Sequence, residues 1–127
     1  MLSKKYERFG IHNCNWDITP YIKVYRSIKK MGYVNMGINS DMKRAIEVFC
    51  DVRRAILYSP AVAIEKKPVD EIRKDIEKIY NELAPCDIVL ADIVENNTPD
   101  LKVIKIINMI RQISEIDKDE TSNNDRK

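Results

Sequence analysis

The chain has 127 residues, 44% of them apolar and 33% charged, with a formal net charge of +2; that suffices for one domain with a proper core and is too short for two. No run comes near the ~18 apolar residues a membrane span needs, and the opening "MLSKKYERFGIHNCNW" lacks the apolar stretch of a signal peptide. A soluble, cytoplasmic (intracellular) protein with no membrane contact is expected, and the odd number of cysteines (Cys14, Cys50 and Cys86) argues for reduced thiols rather than a disulfide framework.

In chain order, the first marked element follows "DITP". Thr19 suits an N-cap and Pro20 the first helical position, and Tyr21, Val24, Tyr25, Ile28 and Met31 recur at helical spacing until Gly32. The opposite side of this helix carries Lys23, Arg26, Lys29 and Lys30. The next stretch, "DMKRAIEVFCDVRRAILYSP", reads as one amphipathic helix capped by Asn39 or Ser40 and ended by Ser59-Pro60. Its apolar arc holds Met42, Ala45, Ile46, Val48, Phe49, Val52, Ala55 and Ile56. Lys43, Arg44 and Arg54 line the outer face, while Arg53 sits on the shoulder of the apolar arc.

A third helix begins after Pro68, with Asp70 and Glu71 placed to favour its positive end, carries a stripe of Val69, Ile72, Ile76, Ile79, Tyr80 and Leu83, and stops at Pro85. "CDIVLADIVENN" over 86–97 can be a buried strand or a buried helix, and its helical neighbours favour helix. The last helix has Thr98 as N-cap and Pro99 at its first position. Its apolar residues Val103, Ile104, Ile106, Ile107, Ile110 and Ile113 span about half the circumference; Leu101, Met109 and Ile116 lie outside that arc. Ile107 and Ile110 are the expected core or interface positions. From Asp117, "DKDETSNNDRK" reads as a solvated tail.

These elements predict an all-α (mostly α) single domain over 1–116, a compact bundle of four to five helices, with a disordered polar tail over 117–127. The alternative is α+β. Val34, Met36 and Ile38 alternate, as do Val62 and Ile64, and they could pair as a small two-stranded ribbon. The cysteines recur 36 residues apart, but a shift of that length puts Phe49 on Pro85 and Ile46 on Glu82, so no repeat is supported.

Little in the chain points to catalysis. His12 is the sole imidazole, two residues from Cys14. A zinc site would have to recruit Cys50 and Cys86 from afar, and a cysteine nucleophile would have only His12 as its base. Three glycines cannot form a phosphate loop. No catalytic residue, cofactor or metal is expected, and the protein is read as non-enzymatic.

Charge is the better lead. Residues 1–67 hold 13 Lys and Arg against 6 Asp and Glu, and residues 68–127 hold 9 against 14. If the first two helices pack side by side, Lys23, Arg26, Lys29, Lys30, Lys43, Arg44, Arg53 and Arg54 could track phosphates by charge alone. Arg53 has a structural reading as well, snorkelling to water or pairing with a carboxylate of the acidic half such as Glu77 or Asp92. Tyr21 and Tyr25 are expected to be mainly packed. The sequence thus suggests a small helical nucleic-acid-associated subunit or regulator. The alternative is a protein-protein adaptor, inhibitor or self-assembling subunit that meets an acidic protein surface or forms a homo-oligomer through its last helix.

Overall fold

A computed structural model describes the backbone of residues 5–58, 66–91, 93 and 98–124, and side chains through 116. It is an α/β fold. Strands β1 (Phe9–Ile11), β2 (Met31–Met36), β3 (Arg53–Tyr58) and β4 (Asp87–Leu90) alternate with helices α1 (Ile22–Arg26), α2 (Met42–Val48), α3 (Val69–Leu83) and α4 (Asp100–Asn124). The strands lie in the order β1-β2-β3-β4, and every neighbouring pair is parallel. The all-α bundle is therefore corrected, and so is the ribbon. Val34 and Met36 do lie on a strand, but it pairs with β1 and β3, while Val62 and Ile64 fall outside the described residues.

Three local corrections explain the error. The helix after Pro20 is a 3-10 turn (Thr19–Tyr21) followed by only five α-helical residues, so Ile28 and Met31 do not share it. Lys30 takes a left-handed φ of 64° and turns the chain into β2. The long helix over 41–58 is two elements. Asp41, not Asn39 or Ser40, caps α2 by accepting from the Arg44 N–H at 3.1 Å. The helix ends at Phe49, and the chain re-emerges as β3, where Arg54, Ile56 and Tyr58 share one face. The helical arc had gathered Val52, Ala55 and Ile56 because a run of buried residues satisfies both periods. Within 86–97, Asp87–Leu90 form strand β4 rather than helix, in keeping with the β-branched Ile88 and Val89, while 92 and 94–97 lie outside the described residues.

Helix α3 matches its expectation, burying Ile72, Ile76, Ile79 and Leu83. Helix α4 starts where Pro99 and Asp100 place it but is rotated. Ile106, Met109 and Ile113 are buried, whereas Ile104 and Ile107 are exposed. Its backbone stays helical through Asn124, beyond Asp117.

The core lies between one sheet face and the helices. Val34 and Met36 from β2, Ile56 and Tyr58 from β3, and Ile88 and Leu90 from β4 meet Ile22, Ala45, Phe49, Ile76, Ile79, Ile106 and Met109. Tyr58 is fully buried, and its hydroxyl is paired with Asp75, which also accepts from Lys67 at 2.6 Å. Among the described residues no helix is long and apolar enough to cross a membrane.

Candidate functional site

In parallel α/β sheets, ligands bind at the carboxyl ends of the strands, where the connecting loops can vary without disturbing the core. Here the loop leaving β1 is pinned across the end of β2. Gly37 makes room for it: a Cβ there would lie 1.9 Å from the Asn15 carbonyl oxygen. The Gly37 N–H donates to Trp16 O at 2.8 Å, and the buried Ser40 hydroxyl accepts from the Ile18 N–H at 3.1 Å. Asp17 closes the loop by accepting from the Thr19 hydroxyl at 2.5 Å and the Thr19 N–H at 2.9 Å, and these bonds hold its carboxyl below the usual range.

The pinned loop presents a continuous hydrogen-bonded chain. Tyr25 Oη donates to Asn13 Oδ1 at 2.6 Å, and Asn13 Nδ2 donates to the Asn35 carbonyl at 2.8 Å. The Asn13 N–H donates to Asn35 Oδ1 at 2.6 Å, Asn35 Nδ2 lies 2.7 Å from His12 Nδ1, and His12 Nε2 lies 3.0 Å from Cys14 Sγ. One orientation follows. A backbone N–H can only donate, so the Asn35 oxygen must face Asn13 and its amide nitrogen must face His12. His12 Nδ1 is then an acceptor, the ring proton sits on Nε2, and that proton points at the sulfur.

This geometry bears directly on chemistry. In the tautomer these contacts assign, His12 Nε2 offers Cys14 a donor rather than a base. The same proton occupies the nitrogen nearest Cys14 that a metal would need, and among the described residues no three His, Cys, Asp or Glu side chains converge on one point. Beside the pair lies a cleft of about 270 Å³, walled by Trp16, Tyr21 and Tyr25. Tyr21 stacks on Tyr25 with centroids 6.0 Å apart, Trp16 is 71% exposed, and Cys14, at a left-handed φ of 52°, is an exposed free thiol. Tyr25 is packed as expected; Tyr21 is half exposed.

The eight candidate cations are distributed differently. Lys23 and Arg26 lie on α1, Lys29 and Lys30 in the turn before β2, and Lys43 and Arg44 on α2. Arg26, Lys29 and Lys30 share a cleft of about 270 Å³ with Arg8 and Asp51 at the amino end of β2, and Arg26 pairs with Asp51 at 3.0 Å. Arg53 and Arg54 are not on a helix. Arg53 faces away from the core and is bidentate to Asp87, at 2.6 and 3.2 Å, a carboxylate of the acidic half other than Glu77; Asp92, also expected, lies outside the described residues. Arg54 is buried and donates to the carbonyls of Phe49, Val52 and Pro85 at 2.6, 3.0 and 3.1 Å, which removes it from any basic surface.

Sequence reasoning passed over Asn13 and Asn35, and it placed Tyr25 only as a packed aromatic. The available signal was the polar Asn35 between Val34 and Met36: on a strand with alternating faces it must point away from the core side that those two occupy. A further cleft, about 460 Å³ between α3 and α4, is walled by Ile76, Ile79, Ile88, Ile110 and Ile113 and gathers no such polar chain. No family model, curated protein or solved structure matches the chain.

Proposed function

We propose that the carboxyl end of the sheet binds a small, flat organic molecule carrying a hydrogen-bond acceptor. Such a ligand would stack in the aromatic wall of Trp16, Tyr21 and Tyr25 and meet the His12–Cys14 pair. The observation that carries this reading is Asn35. It is 1% exposed, yet its side chain serves only the loop that builds the cleft, accepting from Asn13 and donating to His12. A buried amide is costly unless satisfied, and here its partners are site residues. No reaction is assigned, because the proton on His12 Nε2 rules out the base that Cys14 would need.

The chain contains its own reporters. Trp16 is the sole tryptophan, and Cys14 and Cys50 are both exposed thiols. Titration with a library of planar heteroaromatic fragments should shift Trp16 emission for some members. Those same members should slow alkylation of Cys14 by iodoacetamide while leaving Cys50 unchanged. Equal rates at both thiols with every fragment would remove this reading.

A second reading is favoured by the cleft at the other end of the sheet, where Arg8, Arg26, Lys29 and Lys30 gather with Asp51. Such a cluster suits the phosphates of a nucleic acid. If they are its contacts, affinity for a random duplex should fall with salt, and Lys29→Gln with Lys30→Gln should flatten that dependence. No binding at low salt would remove it.

A further inference from the structure

Each strand of this sheet pairs with its neighbour in the chain, all four run parallel, and a helix follows each. Right-handed crossovers that always step the same way place every helix on one face. The core agrees: Val34, Met36, Ile56, Tyr58, Ile88 and Leu90, all of one parity, meet the helices. The other face carries Tyr33 and Asn35, then Arg53, Ala55 and Leu57, then Asp87 and Val89; the loop after β1 covers Asn35 and Ala55 is fully buried, whereas Arg53 and Val89 are exposed and no described helix lies across this face. Purely parallel sheets are almost always covered on both faces. This one also leaves two edges, β1 and β4, each with a row of main-chain groups that no described strand meets.

A single arrangement solves all three problems. We infer that two copies of the chain close into an eight-stranded parallel barrel, with β4 of each copy pairing with β1 of the other. Eight is the strand number at which inward side chains fill a barrel's interior, and a helix after every strand is the pattern of the (β/α)8 barrel. A two-fold axis running along the strands preserves their direction. The β4–β1 junctions are then parallel, like the three pairings already present, and the closed symmetry leaves no edge. This partly open face becomes the interior, where Leu57 and Val89 leave water and the Arg53–Asp87 pair is already matched in charge. Closure also sets the His12–Cys14 end of one copy beside the Leu90 end of the other, so the cleft described above gains a wall from the partner. The closure does not depend on a ligand being bound.

The test is the solution mass of the full chain, with hydrogen exchange on the wild type. Val89 is 37% exposed and sits on the exposed part of that face, so Val89→Arg is tolerable in one copy and intolerable inside a barrel. Ile104, 51% exposed on α4, is the control position. Wild type and Ile104→Lys should have twice the chain mass and Val89→Arg the mass of one chain with its circular dichroism retained. In the wild type the outward amides of Phe9–Ile11 and Asp87–Leu90 should exchange slowly and lose that protection on dilution. A one-chain mass for the wild type at every concentration overturns the inference. So does a two-chain mass that Ile104→Lys abolishes and Val89→Arg leaves intact, which would place the interface on the last helix. Fast exchange of both edge strands in a dimer overturns it as well, independently of how either variant folds.

Discussion

Asn35 and Arg54 sit on neighbouring strands, both buried, on opposite faces of the sheet. Arg54 faces the helices and donates to carbonyls of the turn between α2 and β3 and of Pro85, just before β4. It ties together the amino ends of two strands. Asn35 faces the other way and is occupied by the loop after β1. Each is a polar group that the interior tolerates because its terminal polar atoms are paired, although the buried Arg54 Nε finds no partner. The amino end, however, uses its buried cation to hold the main chain, while the carboxyl end uses its buried amide to orient an imidazole and a thiol. In parallel sheets generally, the amino end carries stability and the carboxyl end function.

The sharpest way to break this contrast is Arg54→Met. It leaves three carbonyls without their charged donor and should lower stability by about 3 kcal/mol, since hydrogen bonds to charged groups are the stronger kind. The Cys14 alkylation rate, measured under conditions where the variant is folded, should be unchanged. A variant as stable as the wild type would show that Arg54 is not the tie it appears geometrically to be. Asn35→Ala should do the reverse in proportion, costing about 2 kcal/mol for the unpaired Asn13 N–H while changing the Cys14 alkylation rate and Trp16 emission. An altered stability with both site probes unmoved would make Asn35 a purely structural residue.

A smaller effect is the pH dependence of stability that Cys86 confers. Burial pushes the Cys86 thiol up to about 11, the neighbouring Arg54 opposing and Asp87 adding to the shift. A folded pKa raised above the unfolded one, ~8.5 for a free thiol, contributes stability that is fully present below the unfolded value and is lost as pH rises through about 11. Thermal melts from neutral to alkaline pH should therefore fall more steeply in the wild type than in Cys86→Ala. Tyr58 adds to the same trend, burial and Asp75 holding its hydroxyl well above the usual range, so the fall should be reduced in Cys86→Ala and not abolished. Parallel curves would contradict the burial of Cys86. The smallest effect belongs to Arg53→Met. Its pair with Asp87 is exposed in one copy of the chain, where such pairs contribute little, so the unfolding midpoint of a single-chain form should not move.

The pattern of legible and illegible elements has a physical basis. Helix α3 was readable because Pro68 and Pro85 bound it and Ile72, Ile76, Ile79 and Leu83 make a narrow stripe against a charged face. The break between α2 and β3 was not, since Phe49 to Val52 turns the chain without glycine or proline and a strand buried on its helix side offers no polar alternation there. Arg54 misled most: a buried arginine paired to carbonyls is indistinguishable in sequence from a solvated one. In α4, Ile104 and Ile107 were expected inside with Ile106 because residues of equal hydrophobicity cannot report which way a helix is rotated. For the site, the spacing of His12 and Cys14 was visible. Asn35 reaches them across 23 residues through strand register, which becomes legible only once β1 and β2 are known to pair.

Everything assigned to the carboxyl end rests on where one proton lies. The chain has a single histidine, so a long-range nitrogen–proton NMR spectrum of uniformly labelled protein reports its tautomer without assignment ambiguity. The expected result is the Nε2–H form, fixed by Asn35 and pointing at Cys14, with loss of that preference in Asn35→Ala. A ring protonated on Nδ1, or one averaging between the two forms in the wild type, would contradict it, because His12 could then accept from Cys14 and the site would be one built for a nucleophile rather than for binding.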